Sequence, residues 1–158
     1  MKYISAHISW AEAIRSDAAK RAGIINRFTP TQLKRMTVLA EKVFEPLRNH
    51  FKTPIFIASF FRNAALNKLL GGALTSQHLA NKGAAIDIDN DVFGTVSNRQ
   101  IFLYIKDNLE FDQLIWEDGN NVEPGWVHVS YNEGKNRKQV LRMIYKKGVK
   151  SYIPYIHT

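Results

Sequence analysis

The segment Ala84-Ala85-Ile86-Asp87-Ile88-Asp89 restricts the fold of this chain more than any other stretch. Its small and apolar residues mark a buried strand. Strand alternation sends Asp87 and Asp89 to one face and Ile86 and Ile88 to the other. Unpaired buried charge is costly, so the carboxylate face needs compensation, and a metal ion would supply it. The chain has no cysteine, which excludes a disulfide framework, a thiolate nucleophile and a cysteine-based zinc site. Any metal must therefore sit on histidine and carboxylate ligands.

Five histidines are available: His7, His50, His78, His128 and His157. His50 at a helix end and His157 in the tail read as surface residues, and His7 has no acidic or histidine partner nearby in sequence. His78 stands in a polar turn, Ser76-Gln77-His78-Leu79-Ala80-Asn81-Lys82, that leads directly into the aspartate-bearing strand. His128 lies in Trp126-Val127-His128-Val129-Ser130-Tyr131, where alternation places Trp126, His128 and Ser130 on one face. Two histidines and one aspartate would leave a fourth position open on tetrahedral zinc, as a catalytic site requires.

The first half of the chain reads as helical. Ser9 is placed to cap a helix through Trp10, Ala13, Ile14 and Ala18 that ends near Gly23. Thr29-Pro30 opens a longer helix with an apolar stripe of Leu33, Met36, Val38-Leu39, Val43 and Leu47, in which Pro46 predicts a kink or an early end. Residues 55–60 then predict a buried strand, and 63–70 a brief helix stopped by Gly71-Gly72. Residues 84–88 predict a strand and 97–109 a helix capped by Ser97; strands follow at 113–116, 126–131 and 139–145. Helices first and mostly hairpin-connected strands later indicate an α+β fold, with N-terminal helices packed on a mainly antiparallel sheet.

At 158 residues the chain suits one domain with a substantial core, spanning 1–158, and leaves no room for a separate binding domain. No run approaches the roughly 18–20 apolar residues of a membrane span, so no membrane partner is expected. The start Met1-Lys2-Tyr3-Ile4-Ser5-Ala6-His7 lacks the apolar run of a secretory signal, so the expectation is cytoplasmic synthesis. The net charge of +8 suits a polyanionic partner, either an anionic cell wall or nucleic acid, or else a basic face kept for solubility. Positive residues gather late in the chain, at Lys135, Arg137, Lys138, Arg142, Lys146, Lys147 and Lys150. That segment lacks the dense aromatic and arginine pattern of a stacking platform, which argues against nucleic acid.

Several spaced segments, in order, resemble the zinc D-Ala-D-Ala carboxypeptidase family, which includes bacterial cell-wall peptidases and phage endolysins and shares its core fold with Hedgehog domains. The likeness is carried by Ser76-x-His78, Gly83-x-Ala85-x-Asp87 and Trp126-Val127-His128-Val129. Residues 16–26, Glu45-Pro46-Leu47-Arg48, Ile57-Ala58-Ser59-Phe60-Phe61-Arg62 and 66–73 extend it over nearly the whole chain.

The resemblance implies zinc held by His78, Asp87 and His128, with Arg62 stabilising the oxyanion and Ser76 and Trp126 against the substrate. Four residues separate His78 from Gly83, two more than the family spacing. Several relatives carry a glutamate three residues before the last histidine, where this chain has Gly125. Glu117, which ends Gln113-Leu114-Ile115-Trp116-Glu117, is then the preferred general base, with Glu123 as the alternative. The implied activity is hydrolysis of a peptide bond in peptidoglycan, by a monomer acting at the wall after phage lysis or from a virion. The competing expectation is a catalytically inactive Hedgehog-like binding protein or a phage structural protein.

Overall fold

The N-terminal half is built from short helices whose ends are set by side-chain caps. The computed structural model describes residues 2–156. A small hairpin, β1 (Tyr3–Ser5) and β2 (Ile8–Ser9), precedes α1 (Trp10–Ile14) and α2 (Asp17–Arg21). Ser9 caps α1 in a capping box with Glu12. The helix expected to run to Gly23 breaks instead at Arg15. There Ser16 takes an extended conformation and accepts the Ala19 N–H, opening α2. A serine that can bind a nearby backbone N–H competes with continuation of the helix.

Thr29 and Gln32 form a second capping box for α3 (Pro30–Leu39). The helical path continues through a π turn, Ala40–Phe44, into α4 (Glu45–Phe51). Pro46 has no N–H for the helical ladder, and its ring would press on the carbonyl one turn earlier. The wider π turn immediately before it takes up that misfit, so the helix neither ends nor breaks there.

Of the strand expected at 55–60, only β3 (Ile57–Ser59) forms. Next come α5 (Ala64–Leu69), β4 (Ala84–Ile88) and α6 (Asn98–Asn108), the last capped by Ser97. Strands β5 (Gln113–Glu117), β6 (Trp126–Tyr131), β7 (Gln139–Lys146) and β8 (Val149–Pro154) complete the chain. Lys147 and Gly148, both at positive φ, make the two-residue turn between β7 and β8. The six strands order as β3-β4-β6-β5-β7-β8, and only the β5–β7 pair is parallel. The α+β fold with a mainly antiparallel sheet is thus as the sequence predicts.

One face of the sheet buries Ile86, Ile88, Leu114, Trp116, Val127 and Val129 in a core shared with Met36, Leu39, Val43 and Leu47 of the long helix and Ile101, Phe102 and Ile105 of α6. At roughly 1.5–3 kcal/mol per buried large apolar side chain, this layer is what holds the sheet's pleat in register. The opposite face carries Asp87, His128, Ser130 and Glu117. The pairs Asp87↔His128, Ile115↔His128 and Glu117↔Trp126 bring them together across three strands.

Candidate metal centre

Asp87 sits near the end of β4 and is 7% exposed, so its carboxylate must find partners inside the protein. It has three. His128, directly across on β6, places Nδ1 2.8 Å from Asp87 Oδ1. Arg62 Nη2 donates to Oδ2 at 2.8 Å while Arg62 Nε donates to Ser59 Oγ at 3.0 Å. His78 Nε2 lies 3.2 Å from Oδ2.

His78 comes from a 3-10 turn, Gln77–Leu79, stitched to the segment after β3. Its backbone oxygen accepts the Arg62 N–H at 3.0 Å, and its Nδ1 donates to the Phe60 carbonyl at 2.7 Å. A carbonyl can only accept, so the proton belongs on Nδ1 and the Nε2 lone pair faces the site.

The four residues between His78 and Gly83 are accommodated with His78 still beside Asp87. Ala80 adopts φ +52°, and α3 braces the loop: Gln32 Nε2 donates to the Leu79 carbonyl at 2.9 Å, and Arg35 Nη1 to that of Ala80 at 3.0 Å. Gly83 then passes so close to β6 that a Cβ there would lie 2.5 Å from the Tyr131 oxygen.

Burial by itself would raise the Asp87 pKa, but the His78 and His128 imidazoles outweigh it and hold the carboxyl far below the carboxylate range. Burial lowers the His78 pKa against the opposing pull of Asp87. An ionised carboxylate beside a neutral imidazole is the protonation state that binds a metal. One donor atom from each of His78, Asp87 and His128 lies within 4.8 Å of the others, so the three could hold a metal ion. The 3.2 Å between His78 Nε2 and Asp87 Oδ2 is close to the edge of a tetrahedron with metal–ligand bonds of about 2.0–2.1 Å, an edge of about 3.3 Å. Two imidazoles and one carboxylate form a donor set that suits zinc and leaves a fourth position open.

Asp89, expected on the same face, does not join. The strand ends at Ile88, and Asp89 instead accepts the Asn98 amide at 3.1 Å beside the start of α6. His7 has the acidic partner its sequence neighbourhood lacked: Nδ1 lies 2.6 Å from Glu45 Oε2, a contact across 38 residues. His50 is exposed and stacks on Tyr104. His157 lies outside the described residues.

Of the two candidate bases, Glu117 is on the triad's face, paired with Trp126 and 5% exposed. Glu123 is engaged elsewhere, accepting the Arg99 N–H at 2.6 Å at the N-terminus of α6. Ser76 precedes the His78 turn and makes no side-chain cap.

Part of the late basic cluster is neutralised. Arg137 pairs with Asp112 at 2.8 Å, Lys138 with Glu110 at 3.3 Å and Lys150 with Glu117 at 3.2 Å. The last contact was not foreseen, because it joins β8 to β5 across the intervening β7 and has no signature in the local sequence.

The model of one protein family, described as peptidase M15, matches residues 6–130, which contain the triad, Arg62 and Glu117. No curated protein matches the chain.

Proposed function

The chain belongs to the peptidase M15 family, and from that premise we propose that it is a zinc-dependent peptidase cutting a peptide bond of bacterial peptidoglycan. The bond is that of a terminal D-Ala-D-Ala or one within the stem peptide or cross-link. The observation that carries this reading is the gathering of His78, Asp87 and His128 on one sheet face, with Glu117 two residues along the neighbouring strand from the position paired with His128.

His78, Asp87 and His128 would hold the metal. When bound, zinc supplies a Lewis acid that polarises the scissile carbonyl and acidifies water. Glu117 takes a proton from the attacking water as the new C–O bond forms, and delivers it to the leaving amine as the C–N bond breaks. Arg62 is fixed by Ser59 and Asp87 through Nε and Nη2; among the described contacts its Nη1 has no partner, which leaves that group for the substrate oxygen. Trp126, opposite Glu117, forms a wall for the peptide, and Ser76 flanks the His78 side. The net charge of +8 favours retention on an anionic wall, as in a lysin released by phage lysis or carried on a virion.

The test is release of D-Ala or new amines from purified peptidoglycan. Wild type is expected to release product, and Glu117→Gln to lose about 10²–10⁴-fold in kcat while retaining zinc. Full activity in Glu117→Gln would remove Glu117 from the role. Wild type that binds zinc but releases nothing from any peptidoglycan would favour the inactive binding protein.

A further inference from the structure

The β7–β8 hairpin lies beyond residues 6–130, the part of the chain matched by the family, yet it reaches back to the active face. The Lys147-Gly148 turn fixes the pairs Tyr145↔Lys150 and Met143↔Tyr152. Lys150 and Tyr152, two residues apart, therefore project to one side of the strand. That side is the one occupied by Glu117. The Tyr152 hydroxyl donates to Glu117 Oε1 at 3.3 Å, and Lys150 Nζ lies 3.2 Å from Oε2. The ammonium also lies 5.8 Å from the centre of the Trp126 ring and 5.5 Å from that of Tyr152, within reach of a cation–π attraction.

A carboxylate as buried as Glu117 needs partners for both oxygens, and both come from β8. The two donors are themselves kept protonated. Burial pulls the Lys150 pKa down, but the Tyr152 hydroxyl and the Glu117 carboxylate outweigh it and leave it raised. Burial, with Glu117 adding to it, pushes the Tyr152 phenol up.

We propose that Lys150 and Tyr152 are positioning residues that hold the Glu117 carboxylate in one orientation beside His78, Asp87 and His128, so that the C-terminal hairpin completes the catalytic site. This rests on the reading of Glu117 as general base. A hydrogen bond at Oε1 and an ion pair at Oε2 together restrain the plane of the carboxylate and leave it lone pairs that neither contact uses. A base displaced by about 1 Å loses on the order of 10²-fold in rate.

The experiment compares Lys150→Met, Lys150→Arg and Tyr152→Phe with wild type and Glu117→Gln, all zinc-loaded, for kcat and KM on peptidoglycan fragments. Crystal structures of the zinc-free variants accompany it. Lys150→Met is expected to lower kcat about 10–100-fold with KM and zinc content unchanged. Lys150→Arg should recover most of that loss, and Tyr152→Phe should lower kcat less. In zinc-free Lys150→Met the Glu117 carboxylate should leave the orientation seen here. If Lys150→Met does not fold, the smaller change Tyr152→Phe carries the same kcat and orientation readouts.

Wild-type kcat in Lys150→Met and Tyr152→Phe, with Glu117→Gln inactive, would overturn the positioning role and leave the base intact. A rise in KM at constant kcat would also overturn it, making Lys150 a direct substrate contact. Activity in Glu117→Gln would instead remove the base reading itself.

Discussion

Asp112→Asn should destabilise the protein by an amount that disappears in acid. Asp112 is 1% exposed, just before β5, and its carboxylate accepts four hydrogen bonds. Three come from Arg137, through its backbone N–H at 3.0 Å and its Nε and Nη2 at 2.8 Å each. The fourth comes from Gln77 Nε2 at 2.8 Å, from the turn that carries His78. An asparagine amide would turn a donor toward one side of this ring of donors, breaking the contacts of one oxygen.

Removing one member of a fully buried ion pair costs about 3–5 kcal/mol. Here the Arg137 side chain is 56% exposed and can rehydrate, so the loss falls to that of one or two charge-assisted hydrogen bonds, about 2–3 kcal/mol. At about 2–4 °C per kcal/mol for a chain of this size, Tm should drop by roughly 4–12 °C.

Burial alone would raise the Asp112 pKa, but the bonds from Arg137 and Gln77 hold it below the usual value. A carboxyl depressed in the folded state contributes stability above its unfolded pKa of about 3.9 and loses it as pH falls through the folded value. The gap between wild type and Asp112→Asn should therefore be full at pH 7 and close below about pH 4. Urea unfolding of the zinc-free protein at a series of pH values measures it. A gap under about 0.5 kcal/mol at pH 7, or one that widens in acid, would refute the reasoning.

Gly83→Ala should cost about 1–3 kcal/mol in urea unfolding. Its Cβ would lie 2.5 Å from the Tyr131 backbone oxygen, and the ends of β4 and β6 would have to part. Because β4 carries Asp87 opposite His128, the same variant should also bind zinc more weakly by competition with a chelator. Arg62→Met should keep its zinc but lose on the order of 10²–10³-fold in kcat on peptidoglycan; unchanged kcat would exclude Arg62 from stabilising charge on the substrate.

Much of this site was legible because its residues lie in strands with strict alternation. Asp87 and His128 could each be assigned a face from their own segments, and the registry of β4 with β6 joins those faces. Ser97 and Thr29 announced their helices because a capping box is a local interaction three residues long.

What stayed hidden depends on competing local caps, on where a strand ends and on distant partners. The break at Arg15 turns on one serine choosing a nearby N–H. Asp89 was assigned to the metal face by extending the alternation one residue past the end of the strand. Glu45 reaches His7 across 38 residues, and Lys150 and Tyr152 reach Glu117 from a strand two places away in the sheet. Pairings of that kind have no local signature, so neither periodicity nor spacing could have exposed them.

The central claim is that His78, Asp87 and His128 form one zinc site that drives peptide hydrolysis. Its most direct test is the zinc content of the purified protein by elemental analysis, wild type beside His128→Ala, followed by release of D-Ala or new amines from peptidoglycan by both. Roughly one zinc per wild-type chain, as one three-ligand site requires, lost from His128→Ala together with the activity, is the predicted result. A folded wild type that takes up no zinc even on reconstitution, or a His128→Ala protein that keeps both metal and activity, would contradict it.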